Sequence, residues 1–222
     1  MFKNKRSRAI KLLFIGNSFT QRNNLPGLLA ELAATRGLSV KHELISAGGA
    51  SLRMHWNAGK AGEAIATGGY DYVVLQEQST LPVKNAQRMA ENVRLFDEAI
   101  RRAKSKTVLY MTWAREHVPE TQQAIVDAYN SIAKELGAIV VPVGLAWRHF
   151  LSNHKTPVLY DRDQSHPTLA GSYLAACVFL AALLKENPIG IEWRPDNLDN
   201  SDRLKLQRVA WKQVGPRKKK DL

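Results

Sequence analysis

A serine stands at position 18, in the run Gly16-Asn17-Ser18-Phe19-Thr20, directly after a short apolar stretch. Near the other end of the chain, the run Asp163-Gln164-Ser165-His166-Pro167-Thr168 sets a carboxylate three residues before an imidazole. These are the groups of nucleophilic acyl transfer. A hydroxyl attacks, an imidazole Nε2 takes its proton, and a carboxylate accepts the Nδ1–H and so fixes the tautomer. A serine that follows a buried strand and a glycine turn stands at a sheet edge, where the next helix aims its unpaired N–H groups. Taken alone, Ser18 reads equally well as the cap of a turn or helix. His166 precedes a proline that opens the next helix, which fixes its extended geometry. Alone, it reads equally well as a loop histidine beside a turn-forming aspartate. The two blocks together are far more specific than either.

The pair GNSFT after the first strand and DxxHPT before the last long apolar helix resembles the first and last blocks of the SGNH (GDSL-like) hydrolases. The resemblance covers roughly the first 185 residues. It implies a serine esterase with Ser18, Asp163 and His166 as triad. It also implies an oxyanion hole built from the Ser18 N–H, a glycine N–H after the second strand and an asparagine amide from a GxND block. The glycine is expected at Gly48, in Ser46-Ala47-Gly48-Gly49, with Gly49 close behind; a Gly-Gly pair is also an ordinary turn. GxND is missing. After the third strand the chain reads Leu75-Gln76-Glu77-Gln78-Ser79, a block found in divergent esterase-like branches. A glutamine amide is the same donor on a longer stem. Gln76 and Gln78 alternate to one side of an extended chain, and the sequence does not choose between them. Asn17 stands where the family usually has an aspartate outside the triad.

Substrate contact is expected from Asn17 and from Trp113 and Arg115, which follow the fourth strand; a plain surface loop is the competing reading for the last two. Arg53, His55 and Trp56 come shortly after the glycine pair, and Trp56 reads either as a stacking wall or as packing. His42, His149 and His154 have no carboxylate at a suggestive spacing. No HExxH, paired-cysteine knuckle, calcium loop, Walker loop or GxGxxG occurs, so no metal or other cofactor is expected.

The elements that must position these groups alternate. Short apolar runs at residues 10–15, 40–46, 72–76, 107–112 and 138–143 read as strands buried on both faces of a parallel sheet. Helical spacing runs through residues 25–36, 85–103, 120–136 and 168–184. A last, peripheral helix is read at 204–211, after an irregular stretch from 188 to 200. This succession predicts right-handed crossovers and a flavodoxin-like three-layer α/β/α sandwich around a five-stranded parallel sheet. In such sheets ligands bind beyond the carboxyl ends of the strands, which is where both chemical blocks fall. Residues 1–222 are read as a single domain with a core at about 10–186.

Composition fits that class, with 45% hydrophobic and 23% charged residues. The one cysteine, Cys177, lies in an apolar run and reads as a buried small hydrophobe. Basic runs at residues 1–8 and 217–222 supply +7 of the net charge of +12. They read as solvated tails, and no nucleic-acid partner is expected. With no signal-like or spanning segment the expected location is cytoplasmic. The expected partner is a small-molecule ester, first an acetyl ester of a carbohydrate or other small alcohol, and oligomeric state is left open. The rival readings are a lysophospholipase or thioesterase, and a non-catalytic ligand-binding module on the same fold, which the missing GxND favours.

Overall fold

The computed structural model describes residues 8–215. Five strands, β1 (Ile10–Gly16), β2 (Val40–Ser46), β3 (Tyr72–Leu75), β4 (Lys106–Tyr110) and β5 (Ile139–Val141), pair in parallel in the order β2-β1-β3-β4-β5. Among the described residues the α-helices are α1 (Ser18–Gln21), α2 (Leu25–Ala34), α3 (Leu52–Asn57), α4 (Lys60–Gly68), α5 (Leu81–Lys84), α6 (Ala86–Arg102), α7 (Gln122–Leu136), α8 (Val143–Asn153), α9 (Leu169–Leu183) and α10 (Asn200–Val214). This is the expected three-layer sandwich.

The alternation of side chains along β1 builds two cores. Leu12 and Phe14 face α2, α8, α9 and α10, while Leu13 and Ile15 face α3, α4, α6 and α7. Both sets are buried, which explains why the strand reads as continuously apolar. α9 is buried on every side because it lies between the sheet and the flanking helices α2, α8 and α10. Cys177 sits within it, buried and unpaired with another cysteine.

Helix ends follow local chemistry. Asn85, Ser51 and Thr168 cap α6, α3 and α9 with side-chain oxygens that accept from Arg88, Met54 and Gly171 N–H groups. Gly137 ends α7 in the left-handed region, at φ 63°.

The helix expected at 204–211 is longer and not peripheral. α10 packs on α9 and α8 and buries Leu206, Val209 and Ala210. Its inner face also carries Arg203 and Gln207, both bonded to the Ile191 carbonyl, the latter at 2.8 Å. α3, α4, α5 and α8 have no counterpart among the expected elements, and β5 ends at Val141 rather than 143 because α8 starts directly after Pro142. Among the described residues no helix is long and apolar enough to cross a membrane. The basic runs at 1–7 and 217–222 lie outside the described residues. Arg8 is within them and pairs with Asp71.

Candidate active site

β1 turns left in the sheet to β2 and β3 starts the walk to the right, so the crevice beyond β1 and β3 is the switch point of the fold. Ser18 stands there as the first residue of α1, partly buried. Its N–H therefore has no acceptor within the helix.

The serine turn is fastened on three sides. Asn17 caps α1 by accepting from Phe19 N–H at 3.1 Å. Its Nδ2 donates to the Ala50 carbonyl at 3.0 Å, which ties the turn to the glycine loop. Its own N–H donates to Gln76 Oε1 at 2.9 Å, and Thr20 Oγ1 donates to the same oxygen at 3.0 Å. From behind, the buried His55 places Nε2 2.7 Å from the Gly16 carbonyl. A Cβ on Gly16 would sit 2.6 Å from Gln76 Oε1 and 2.8 Å from Thr20 Oγ1, so only glycine fits where the strand end and this network meet.

These contacts correct two expectations. Asn17 is 2% exposed and both ends of its amide are engaged, so it holds the serine turn and is not available to substrate. Gln76 is fully buried, and its Nε2 donates to the Glu77 carbonyl at 2.5 Å. Its amide is therefore spent within the framework and is not an oxyanion donor. Gln78 is different. Its Oε1 accepts from Thr80 N, Thr80 Oγ1 and Leu81 N, which caps the start of α5, and no described residue accepts from its Nε2.

The histidine arrives on a loop before α9. Tyr160 and Pro167 form an antiparallel bridge, and Asp161 N–H donates to the His166 carbonyl at 2.8 Å, so the loop closes on itself. Ser18 Oγ lies 2.7 Å from His166 Nε2. His166 Nδ1 is hydrogen-bonded to Asp163 Oδ2. Asp163 Oδ1 accepts the Ser165 and His166 N–H groups at 3.0 and 2.9 Å. Partial burial raises the Asp163 pKa, but these hydrogen bonds outweigh it and hold the carboxyl down at about 2. The structure thus brings Ser18, His166 and Asp163 together across 148 residues of chain.

Two further ties hold the blocks in register. Arg22 pairs with Asp161 at 2.5 Å, and Asn23 Nδ2 donates to the Pro167 carbonyl at 3.2 Å and to Ser172 Oγ at 2.9 Å. Below the imidazole, Phe19 packs at 5.2 Å from His166 and 5.0 Å from Trp113. Trp113 stacks flat on Trp147 at 3.8 Å and donates Nε1–H to the Ser165 carbonyl at 3.0 Å. Trp113 was expected to line a substrate pocket; at 1% exposure it is instead the buried floor of the histidine loop. Trp56 packs edge-on against Phe96 rather than forming an open wall.

Gly48 and Gly49 are the central residues of a turn closed by Ala50 N–H to the Ala47 carbonyl at 3.1 Å. Gly49 has φ 67°, which favours glycine. The turn uses neither glycine N–H, and both residues are exposed.

Glu77 is the residue that sequence reasoning passed over. Its buried carboxylate accepts from Leu52 N at 3.0 Å, Gln78 N at 2.7 Å and Asn92 Nδ2 at 2.8 Å, and so joins the end of β3 to α3 and α6. Burial raises its pKa against those hydrogen bonds and the nearby His55. The signal was a carboxylate two residues past the end of a short, largely apolar strand, where the chain has not yet left the core. Among the described residues no group of three or more His, Cys, Asp or Glu side chains could hold a metal ion.

No model of a known protein family matches the chain, and no curated protein matches it either. Solved structures do. A protein from Slackia heliotrinireducens, provisionally assigned as an SGNH hydrolase, is 29% identical over 79% of this chain and 99% of its own, with a TM-score of 0.68. A DUF4886 family protein from Bacteroides uniformis is 22% identical over 93% and 95%, with a TM-score of 0.77. Axe2, an acetylxylan esterase from Geobacillus stearothermophilus, is 18% identical over 86% and 99%, with a TM-score of 0.59. The chain has the fold of the SGNH-like hydrolases.

Proposed function

We propose that the chain is a serine esterase that hydrolyses small acyl esters. The observation that carries this reading is the contact of Ser18 Oγ with His166 Nε2 at 2.7 Å, with Asp163 on the far side of the ring. His166 takes the Ser18 proton as Oγ attacks the ester carbonyl. Asp163 fixes the tautomer and stabilises the imidazolium. The tetrahedral oxyanion is held by the N–H groups of Ser18 and Gly48 and by the Gln78 amide, donors that neither α1 nor the glycine turn uses. His166 then protonates the leaving alcohol, and a water activated by the same ring releases the acid.

The acyl group we assign is short, with acetyl on a carbohydrate or another small alcohol as first choice. An acetylxylan esterase among the structural neighbours supports that choice. A p-nitrophenyl ester series from acetate to decanoate tests it. Activity peaking at acetate and absent in Ser18→Ala is expected. A maximum at decanoate would overturn the short-acyl assignment, and no turnover of any ester by the folded protein would favour a binding module.

A further inference from the structure

Beyond the triad, between the loops that follow β3 and β4, lies a cavity of about 260 Å³. Its walls include Ser79, Thr80, Lys84, Arg115, His117 and Thr121, over an apolar base that includes Ile125. Both walls are tied to segments that carry residues of the candidate site. On one side, Thr80 hydrogen-bonds the Gln78 side chain through both its N–H and its hydroxyl. On the other, Glu116, next to Arg115, donates its N–H to the carbonyl of Gln164, inside the Asp163–His166 loop, at 3.0 Å.

Arg115 is the unusual member. Its Nε is buried and has no hydrogen-bond partner, and its guanidinium makes no ion pair among the described residues. Arg22, Arg94 and Arg101, by contrast, each hold a carboxylate. A partly desolvated guanidinium without a partner is costly, and an anion that reaches it offsets that cost. No Asp or Glu lines the cavity, whereas Lys84 and His117 add cationic or donor groups. The buried carboxylate of Glu77 is already satisfied by three donors.

We propose that this cavity is a subsite for an anionic group, a carboxylate or phosphate carried on the alcohol half of the ester, with Arg115 as its counter-charge. The placement on the alcohol half rests on the short-acyl esterase reading, since an acetyl group carries no charge. A guanidinium presents a planar fork that matches carboxylate and phosphate oxygens, and the Ser79 hydroxyl, which also lines the cavity, offers a neutral donor.

The test compares 4-acetoxybenzoate with its neutral isostere 4-acetoxybenzamide. The ratio of their kcat/KM values is read for wild type, Arg115→Gln, Arg115→Lys and Lys84→Glu. The ratio is expected to fall about tenfold in Arg115→Gln, as the loss of one hydrogen bond to a charged group predicts. Arg115→Lys should recover part of it. Lys84→Glu, on an exposed side chain that does not challenge the fold, should lower it a few-fold. A ratio unchanged in Arg115→Gln and in Lys84→Glu would overturn the subsite. If wild type hydrolyses neither ester, the esterase reading itself has failed, and the subsite is then read by calorimetric titration of 4-acetoxybenzoate. Affinity weakened about tenfold or more in Arg115→Gln supports the subsite, and equal affinity overturns it.

Discussion

Gln76 Oε1 receives the backbone N–H of Asn17 at 2.9 Å, so the turn that carries the nucleophile hangs from the end of the neighbouring strand. The same oxygen also takes the Thr20 hydroxyl, and the amide nitrogen closes on Glu77. One buried side chain thereby fixes the position of Ser18 relative to the β3 edge.

This separates the roles of two glutamines that are two residues apart. Gln76→Ala strands three buried polar groups and opens a cavity, so it should cost about 2–4 kcal/mol of stability in urea unfolding. Gln78→Ala removes an amide whose nitrogen no described residue engages, together with the cap that its Oε1 gives α5. It should lower kcat on p-nitrophenyl acetate by about 10²–10³ with KM little changed. If Gln78→Ala alters only KM, the Gln78 amide is a pocket group and not an oxyanion donor.

The Asp163 carboxylate accepts two backbone N–H groups as well as the imidazole, so an asparagine in its place keeps the loop but reverses the ring's hydrogen-bond demand. Asp163→Asn should lower kcat by about 10⁴, the scale of this change in other serine triads. Steady-state kinetics checks it, with circular dichroism as the control for folding. A loss smaller than about tenfold would mean that Asp163 does not orient the base.

At the strand end, Gly16→Ala drives a methyl group into Gln76 Oε1 and Thr20 Oγ1. We expect a loss of about 1–3 kcal/mol together with lower activity, because the displaced groups are those that hold the serine turn. Wild-type stability in this variant would show that the network is slack.

Much of this architecture is legible in the residues. β1, β3 and β4 read as strands because both their faces are largely buried, which leaves short apolar runs; β2, the edge strand, departs from that expectation, since Lys41, His42 and Glu43 stand exposed in it. α6, α7 and α9 read clearly because caps such as Asn85, Gly137 and Thr168 mark their ends. α4 does not read as a helix because Gly59 precedes it and Gly62 and Gly68 lie in it. α8 is masked because the apolar run of β5 continues through Val143 with only Pro142 between. α10 looks peripheral because Arg203 and Gln207 occupy its buried face, where their bonds to Ile191 replace apolar contact.

In the site, the Ser18, Asp163 and His166 blocks are visible because each lies in a short run of restricted backbone. The glutamine choice is not visible. β3 ends at Leu75, so strand alternation no longer governs Gln76 and Gln78; one continues inward and the other turns to cap α5. Trp113 and Asn17 sit at the active edge in sequence, but only packing shows that they face inward.

Glu77 makes stability depend on pH in a defined direction. Burial sets its folded pKa above the unfolded value of about 4.3, so the folded state binds the proton more tightly. That contribution is fully present below the unfolded pKa and is lost as pH rises through the folded one. Wild type should therefore lose stability relative to Glu77→Gln between about pH 4 and neutrality, measured by urea unfolding at both ends of the range. A difference that grows in favour of wild type as pH rises would contradict this sign.

The most direct test of the central claim is the intact mass of the protein after treatment with a fluorophosphonate, followed by peptide mapping. One phosphonyl group, on Ser18, is expected, with no adduct in Ser18→Ala and greatly slowed labelling in His166→Ala. A wild-type protein that stays unlabelled, or that carries the group on another residue, would contradict Ser18 as the nucleophile.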